Sequence, residues 1–367
     1  MPHRTGQATL PLHHGRAPRW LFERMTTLAR ALTCAFLTEH SPQEFLERIS
    51  DPYWFQALGC VLGFDWHSSG LTTTVCGALK QGLQGLDREL GLAVAGGKGA
   101  TARRTPKELE AWGERFGIDP APLIYASRMS AKVDSACVQD GYQLYHHAFF
   151  WTTNGSWAVV QQGMSESLSG PTVGLARRYH WLSDTLESFV DEPQAAICAE
   201  ESHEHLLDLC AHENAAIRQQ SLDLSHERPA HLIRELHAAK ELTLPSRHHV
   251  EASDLDVKRF ERILQHVQTA APQDYASLVG IPGIGAKTLR ALALLGELLY
   301  STPVTFRDPA RFSFAHGGKD GHPFPVDRAL YDRSITILEG MIADARLGRS
   351  ERLQAFRRLA RYATGAV

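Results

Sequence analysis

Four side chains in the N-terminal half have the chemistry of metal ligands. Asp140 and His147 lie in the stretch VDSACVQDGYQLYHHAFF. If that stretch is helical, Asp140, Gln143 and His147 are spaced i, i+3 and i+7 and share one face. Asp65 and His67 lie two residues apart in GFDWHSSG. Carboxylates and imidazoles bind divalent cations that position water against a phosphodiester, so these four side chains predict a catalytic site for Mg²⁺ or Mn²⁺.

Ordinary structural roles are the alternative for the same two segments. His146 and His147 could cap a helix that enters a sheet, with Asp140 in solvent. Ser68, next to His67, could be only the N-cap of the helix that follows. The local sequence does not distinguish these roles from metal binding. The metal site is therefore a hypothesis that requires the two segments to meet in the fold.

A second kind of site is predicted in residues 273–300, QDYASLVGIPGIGAKTLRALALLGELLY. Two segments with apolar residues at helical spacing flank a corner that contains three glycines. Glycine permits positive φ and lets a ligand approach the main chain closely. The unpaired N–H groups that open the second helix could then bind one phosphate. The predicted contacts are Gly280, Gly283, Gly285, Lys287, Thr288 and Arg290.

The corner sequence I-P-G-I-G-x-K-T resembles the helix-hairpin-helix motif, which binds the DNA backbone without reading bases in polymerases, ligases, glycosylases and repair nucleases. The resemblance implies DNA as the partner. A glycine-rich turn between two packed helices is the simpler alternative, but it explains less well why Lys287 and Thr288 follow three glycines. A P-loop requires a glycine directly before the lysine, and Ala286 stands there instead.

Residues 324–328, FPVDR, resemble the P-V-D-T-H segment of helix-hairpin-helix DNA glycosylases. In bifunctional members a lysine in the glycine-rich corner attacks the sugar, and Lys287 and Asp327 match the lysine and the aspartate of that family. Such a lysine needs a lowered pKa to form a Schiff base. The match is incomplete, because 40 residues separate Lys287 from Asp327, far more than in that family, and its iron–sulfur cysteine cluster is missing.

Composition and charge are those of a globular protein with two or three domains. The chain has 367 residues, a net charge of −3 and 43% hydrophobic residues. Residues 280–367 contain 13 Lys/Arg and 8 Asp/Glu, a balance of +5 against −8 for residues 1–279, which fits contact with a polynucleotide backbone. The six cysteines are scattered and no apolar run has the length of a membrane span, so we expect a cytoplasmic protein without membrane contacts.

The predicted fold class is α+β and mostly helical, with a small antiparallel sheet in the N-terminal part. Residues 148–153 and 156–162 predict a β-hairpin around the turn Asn154-Gly155. Residues 175–182 predict a third strand, and residues 7–12 a short strand at a sheet edge.

Other segments predict loops, helices and a domain boundary. Residues 91–104 predict a glycine-rich basic loop, and residues 122–147 predict a mostly helical segment. Residues 183–213 contain nine Asp/Glu and no Lys or Arg, and this break in charge marks a boundary. We therefore predict an α+β domain at 1–190 with the catalytic site, and a helical DNA-binding domain at 191–367.

Several longer stretches together resemble one prokaryotic family, catalogued as domain of unknown function 763. They are TGQATLPLHHGRAPRWLFERM, SDPYWFQALGCVLGFDWHSSGLTTTVCGALK, QDGYQLYHHAFF, WAVVQQGM, RRYHWL and FRDPARFSFAHGGKDGHPFPVDRALYDRSI. The resemblance covers nearly the whole chain and implies a DNA-processing nuclease.

Taken with the candidate sites, this predicts metal-dependent hydrolysis of DNA phosphodiesters, with selectivity for the shape of the DNA. Two alternatives stay open. One is a DNA glycosylase or lyase that uses Lys287 and Asp327. The other is a DNA-binding scaffold without catalysis, whose N-terminal domain binds a nucleotide or a partner. The expected partners are DNA and a second copy of the chain in a homodimer.

Overall fold

The computed structural model describes most of the chain. The described ranges are 19–63, 70–165, 176–199, 206–240, 257–312, 318–319, 322–323 and 328–364. The predicted strand at 7–12 and the candidate residues Asp65, His67 and Asp327 lie outside these ranges.

An antiparallel sheet of five strands forms the centre of the fold. The strands of the described chain are β1 (Leu92–Lys98), β2 (Val138–Gln139), β3 (Gln143–Thr152), β4 (Trp157–Met164), β5 (Ala176–Leu182), β6 (Ala196–Ala199), β7 (Leu207–Asp208), β8 (Gly318–Lys319) and β9 (His322–Pro323). The five-stranded sheet has the order β1-β3-β4-β5-β6, while β2 pairs with β7 and β8 with β9.

Helices cover both faces of this sheet. They are α1 (Arg19–Glu39), α2 (Pro42–Ser50), α3 (Pro52–Leu62), α4 (Gly70–Leu83), α5 (Asp87–Leu90), α6 (Thr105–Phe116), α7 (Ala121–Ala136), α8 (Ala215–Ser225), α9 (Pro229–Lys240), α10 (Val257–Ala270), α11 (Tyr275–Gly280), α12 (Ala286–Tyr300), α13 (Arg328–Asp344) and α14 (Arg349–Thr364). The predicted fold class, α+β and mostly helical, is confirmed.

Strand side chains alternate between two apolar layers, because successive residues of a strand point to opposite faces. On the first face Phe149 and Trp181 pack with helices that include α7, α8, α11 and α12. On the second face Phe150 and Val160 pack with α1 to α4, α13 and α14. Both faces are buried, and the strands combine apolar runs such as AFFW in β3 and WAVV in β4 with buried polar residues.

The predicted β-hairpin is confirmed as β3 and β4. Asn154-Gly155 forms the turn, where Gly155 has a φ of +93° and the Gly155 N–H donates to the Thr152 carbonyl at 3.0 Å. The predicted third strand is confirmed as β5, which pairs with β4 in antiparallel register.

Two other predictions for the N-terminal half were wrong. The glycine-rich segment 91–104 contains strand β1, because small apolar residues fit between the two layers where Ala93 and Ala95 are buried. The helix predicted to reach residue 147 ends at Ala136, and β3 begins at Gln143. Gly141, with a φ of +80°, makes the turn into β3, so Asp140 and His147 do not share a helix face.

The predicted boundary at residue 190 stays a prediction, and the fold has many contacts across it. Strand β6, which follows the boundary, completes the sheet by pairing with β5. Helices α13 and α14 pack against α1 and α3 on the second face. The Arg358 side chain donates to the Val61 carbonyl at 2.7 Å, at the end of α3.

Gly96 tests how closely β1 must approach β3. Its φ is +85°, and an added Cβ would lie 2.2 Å from the His147 carbonyl oxygen. We expect Gly96→Ala to lower the free energy of unfolding by about 3 kcal/mol, because backbone strain and overlap add. Gly99→Ala is the control: φ there is +60° but no atom lies within 4 Å, so the loss should be near 1 kcal/mol. Equal losses in urea unfolding would contradict this account of the close approach.

Candidate nucleic-acid interface

The corner between α11 and α12 is a tight hydrogen-bonded turn. The Ile284 N–H donates to the Ile281 carbonyl at 3.2 Å, and Gly283 has a φ of +94°. Proline followed by glycine at positive φ is the arrangement of a type II turn. Ile281 and Ile284 are buried while Pro282 and Gly283 are exposed, so apolar anchors fix the turn and its tip faces solvent.

The main-chain amides at this corner are open. Within the described ranges, the N–H groups of Gly283, Gly285 and Ala286 have no hydrogen-bond acceptor. Gly285 is the N-cap of α12 in extended conformation, and it has no side chain to satisfy the helix N-terminus. Open N–H groups at the positive end of a 15-residue helix favour an anion.

Side chains of α7 and β2 donate hydrogen bonds to the main-chain carbonyls of the corner. Lys132 Nζ donates to the Ile281 carbonyl at 3.4 Å, and Gln139 Nε2 donates to the Ala286 carbonyl at 2.9 Å. Arg290 Nε donates to Gln139 Oε1 at 2.5 Å. Burial lowers the pKa of Lys132. These bonds use the carbonyl side of the turn and leave the amide side open.

The structure brings together only some of the predicted phosphate contacts. Gly283, Gly285 and Lys287 lie at the exposed tip and in the first turn of α12. Thr288 is buried, and Gly280 is the last residue of α11. Arg290 binds Gln139, and this contact between residues 151 positions apart had no local signal in the sequence.

Asp134 is the centre of a buried polar network on the first face of the sheet. Its carboxylate accepts hydrogen bonds from Gln161 at 2.5 Å, Trp181 Nε1 at 2.8 Å and Gln194 at 2.7 Å. Burial raises the pKa of Asp134 to about 8, against the opposing effect of these three bonds. Asp134 lies in the stretch VDSACVQDGYQLYHHAFF, from which the metal site was predicted, with an exposed aspartate as the alternative; the structure instead buries it with partners 27 to 60 positions away.

His147 extends this network instead of facing a cavity. Its Nδ1 lies 2.7 Å from Gln161 Oε1 and its Nε2 lies 2.9 Å from Ser127 Oγ. Burial lowers the pKa of His147 to about 4, so the ring is neutral near pH 7. Both ring nitrogens are therefore engaged by protein groups.

Asp140 belongs to a second buried cluster, which is built around Arg177. The guanidinium of Arg177 binds Asp308 through two hydrogen bonds of 3.0 and 2.7 Å and lies 3.4 Å from Asp140 Oδ2. Asp140 also accepts from the Tyr179 hydroxyl at 2.5 Å and from the Tyr142 N–H at 2.9 Å. Burial raises the pKa of Asp140, and the charge of Arg177 opposes this.

These contacts give Asp140 and His147 structural roles. Their polar atoms are occupied by different partners, and nowhere in the described chain do three or more His, Cys, Asp or Glu side chains form a group that could hold a metal ion. Asp65 and His67 lie outside the described residues, so the predicted metal site stays a hypothesis.

His146 differs from His147 because β3 turns it to the second face. Its side chain is 1% exposed, and in the described structure neither ring nitrogen has a hydrogen-bond partner. Each unsatisfied buried polar group costs about 1–3 kcal/mol, so such a residue needs an explanation. Burial lowers the pKa of His146 to about 3. If QLYHHAFF had been recognised as a strand, the alternation of side chains would have predicted that the two histidines point to opposite faces of the sheet.

The fold and the corner define a mostly helical α+β protein with a buried antiparallel sheet and a turn with open main-chain amides between two helices. The chain belongs to the family described as protein of unknown function, DUF763, whose model matches residues 6–326. No curated protein and no solved structure matches the chain. Of the helices described, none is long and apolar enough to cross a membrane.

Asp308 anchors residues 301–312 to β5. Removal of its carboxylate should therefore make this segment more accessible to protease. We expect Asp308→Ala to lower the free energy of unfolding by about 3 kcal/mol, because Arg177 loses a bidentate partner inside the protein. Trypsin should then cleave faster after Arg307 and Arg311. Asp332→Ala, at an exposed position on α13, is the control and should behave as the wild type. Equal digestion rates for both variants would rule out the anchoring role.

Asp134 predicts a pH dependence of stability. Its pKa is about 8 in the fold and about 3.9 in an unfolded chain, so the protonated form is favoured by folding. The stabilisation of the fold by protonated Asp134 is complete below pH ~4 and is lost as the pH rises to ~8. Asp134→Asn does not titrate. The stability of the wild type relative to this variant should fall by up to about 1.4 kcal/mol per pH unit in that window. If the stabilities of the wild type and Asp134→Asn, measured by chemical unfolding, run parallel from pH 4 to 8, the predicted effect of Asp134 is wrong.

Proposed function

We propose that the protein binds DNA through its sugar–phosphate backbone, with α11, the glycine corner and α12 acting as a helix-hairpin-helix. The observation that carries the proposal is the set of open amides at Gly283, Gly285 and Ala286. Three N–H groups at a helix N-terminus match the oxygens of one phosphate and contact no base. Binding would therefore be independent of sequence.

Cationic side chains near the corner support this proposal. Lys287 is exposed in the first turn of α12, where its ammonium group can reach an anion at the helix N-terminus. Helix α10 lies beside the turn, since an added Cβ at Gly283 would be 3.7 Å from the Ile263 side chain. Arg259 and Arg262 of the same helix are exposed. A duplex phosphate strand that follows the corner would meet these charges next.

The geometry favours binding over either kind of chemistry. Hydrolysis by a metal at Asp140 and His147 would require both side chains to leave their present hydrogen bonds. A lyase reaction at Lys287 requires a lysine removed from water, and Lys287 is exposed. Nuclease and lyase activity are therefore tested as additional outcomes in the same experiment.

Gly285→Val is the sharpest test of the corner. Gly285 is in extended conformation and an added Cβ would meet no atom within 4 Å, so the variant should fold and lose at most about 1 kcal/mol of stability. The new side chain would stand in front of the amides. We expect DNA affinity to fall about ten- to hundredfold, as for the loss of charge-assisted hydrogen bonds. Fluorescence anisotropy with labelled duplex DNA at several salt concentrations measures both affinity and salt dependence.

Gly340→Val is the matched control, because Gly340 is exposed on α13 with no atom near its missing Cβ. It should bind DNA as the wild type does. Wild-type affinity in a folded Gly285→Val protein would refute the corner as the contact. Incubation of the same DNA with Mg²⁺, Mn²⁺ or EDTA detects hydrolysis. A borohydride-trapped adduct that Lys287→Ala abolishes would establish the lyase alternative instead.

A further inference from the structure

A second basic surface lies at the end of β1, apart from the glycine corner. It consists of Lys98, Arg103, Arg104 and Lys107, and we call it the basic corner. All four side chains are exposed, and none of them forms a salt bridge with another residue that the structure describes. Four cations within ten residues, without acidic partners there, produce a local positive potential that attracts anions.

Hydrogen bonds from Lys80 and to Glu108 fix the main chain where the basic corner begins. Lys80 Nζ donates to the Gly96 carbonyl at 2.7 Å, and Glu108 Oε2 accepts from the Gly96 N–H at 2.9 Å. Lys80 and Glu108 also pair with each other at 2.6 Å. Gly96, Gly97 and Gly99 all have positive φ, which turns the chain from β1 into the segment that carries Arg103 and Arg104. The two arginines therefore extend from a turn whose first residues are held by hydrogen bonds.

His146 lies directly beside this surface. It is the register partner of Lys98 across β1 and β3, so the two side chains are neighbours on the second face. The register shift between Leu144 and His146 makes Tyr145 a β-bulge residue, and bulges re-aim side chains near functional sites. Lys98 Nζ lies 5.6 Å from the Tyr145 ring centroid, and Gln162 Nε2 donates to the Tyr145 hydroxyl at 2.6 Å. His146 itself is 1% exposed, so Lys98 and the half-buried Tyr145 are the accessible side chains at this edge of the sheet.

We infer that the basic corner is a second phosphate-contact surface for the same polynucleotide, in which Lys98, Arg103, Arg104 and Lys107 bind neighbouring phosphates of one strand. This inference rests on the proposed DNA-binding function. All four side chains are exposed, so a phosphate can reach each of them without a change in the fold.

Residues beside the two surfaces are close together in the chain. Gln139, which binds the glycine corner, precedes His146 by seven residues, so their Cα atoms are at most about 25 Å apart along an extended chain. That span corresponds to about seven base pairs of B-form DNA at 3.4 Å per step. A duplex of that length is long enough to reach from one surface to the other.

The test compares two double variants that each remove two positive charges. Arg103→Ala/Arg104→Ala changes the basic corner, and Arg30→Ala/Arg88→Ala changes exposed arginines on α1 and α5 that have no described partner. Each lost phosphate contact should reduce the slope of log K against log salt by about 0.9. The first variant should therefore lose about 1.8 from the slope and bind duplex DNA at least tenfold more weakly at low salt. The control should match the wild type.

Lys98→Gln tests the edge of the basic corner at the end of β1. The side chain is exposed, so the variant should unfold at the same urea concentration as the wild type. Loss of its charge should lower the slope of log K against log salt by about 0.9. An unchanged slope would exclude Lys98 from the contact surface.

Titration of Gly285→Val with the same DNA distinguishes failure of the second surface from failure of the proposed DNA binding. If Gly285→Val weakens binding while the basic-corner variants match Arg30→Ala/Arg88→Ala, the second surface is wrong and the first stands. A wild-type protein that binds no DNA at low salt would overturn both. Loss of binding in both sets of variants supports a single duplex held at two places.

Discussion

The buried ion cluster around Arg177 holds together three parts of the chain that are far apart in sequence. Arg177 comes from β5, Asp140 from the turn before β3, and Asp308 from the segment after α12. A guanidinium removed from water is tolerable only with good carboxylate geometry and further hydrogen bonds, and here Asp308 binds it with two. Because the segment with Asp308 follows α12, this cluster also ties the chain that leaves α12 to strand β5.

Polar side chains cross the sheet in two rows, and the rows differ in how well they are satisfied. On the first face His147, Gln161 and Asp134 bond to one another and to Trp181, so the row is closed. On the second face, in the described chain, His146 has no partner beside Lys98. A closed buried network rigidifies a core, whereas the unpartnered ring of His146 leaves a desolvation cost in the fold.

Local signals in the sequence predicted the elements that depend on local physics. Asn154-Gly155 predicted the hairpin, and the structure has Gly155 in that turn at a φ of +93°. The Pro-Gly corner was also visible. The missed features depend on distant partners: β1 is a strand because β3 lies beside it, and Asp140 is held by residues of β5 and of the 301–312 segment. No spacing within a 20-residue window contains that information.

Helices α13 and α14 complete the apolar layer that α1 to α4 begin, and Arg358 reaches back 297 residues to the end of α3. Sequence separation of this size is a high contact order, which slows folding. During synthesis the first four helices emerge long before the last two, and their apolar side stays uncovered in the meantime. Truncation before α13 would leave the same surface exposed, and aggregation of the shortened chain is the physical consequence.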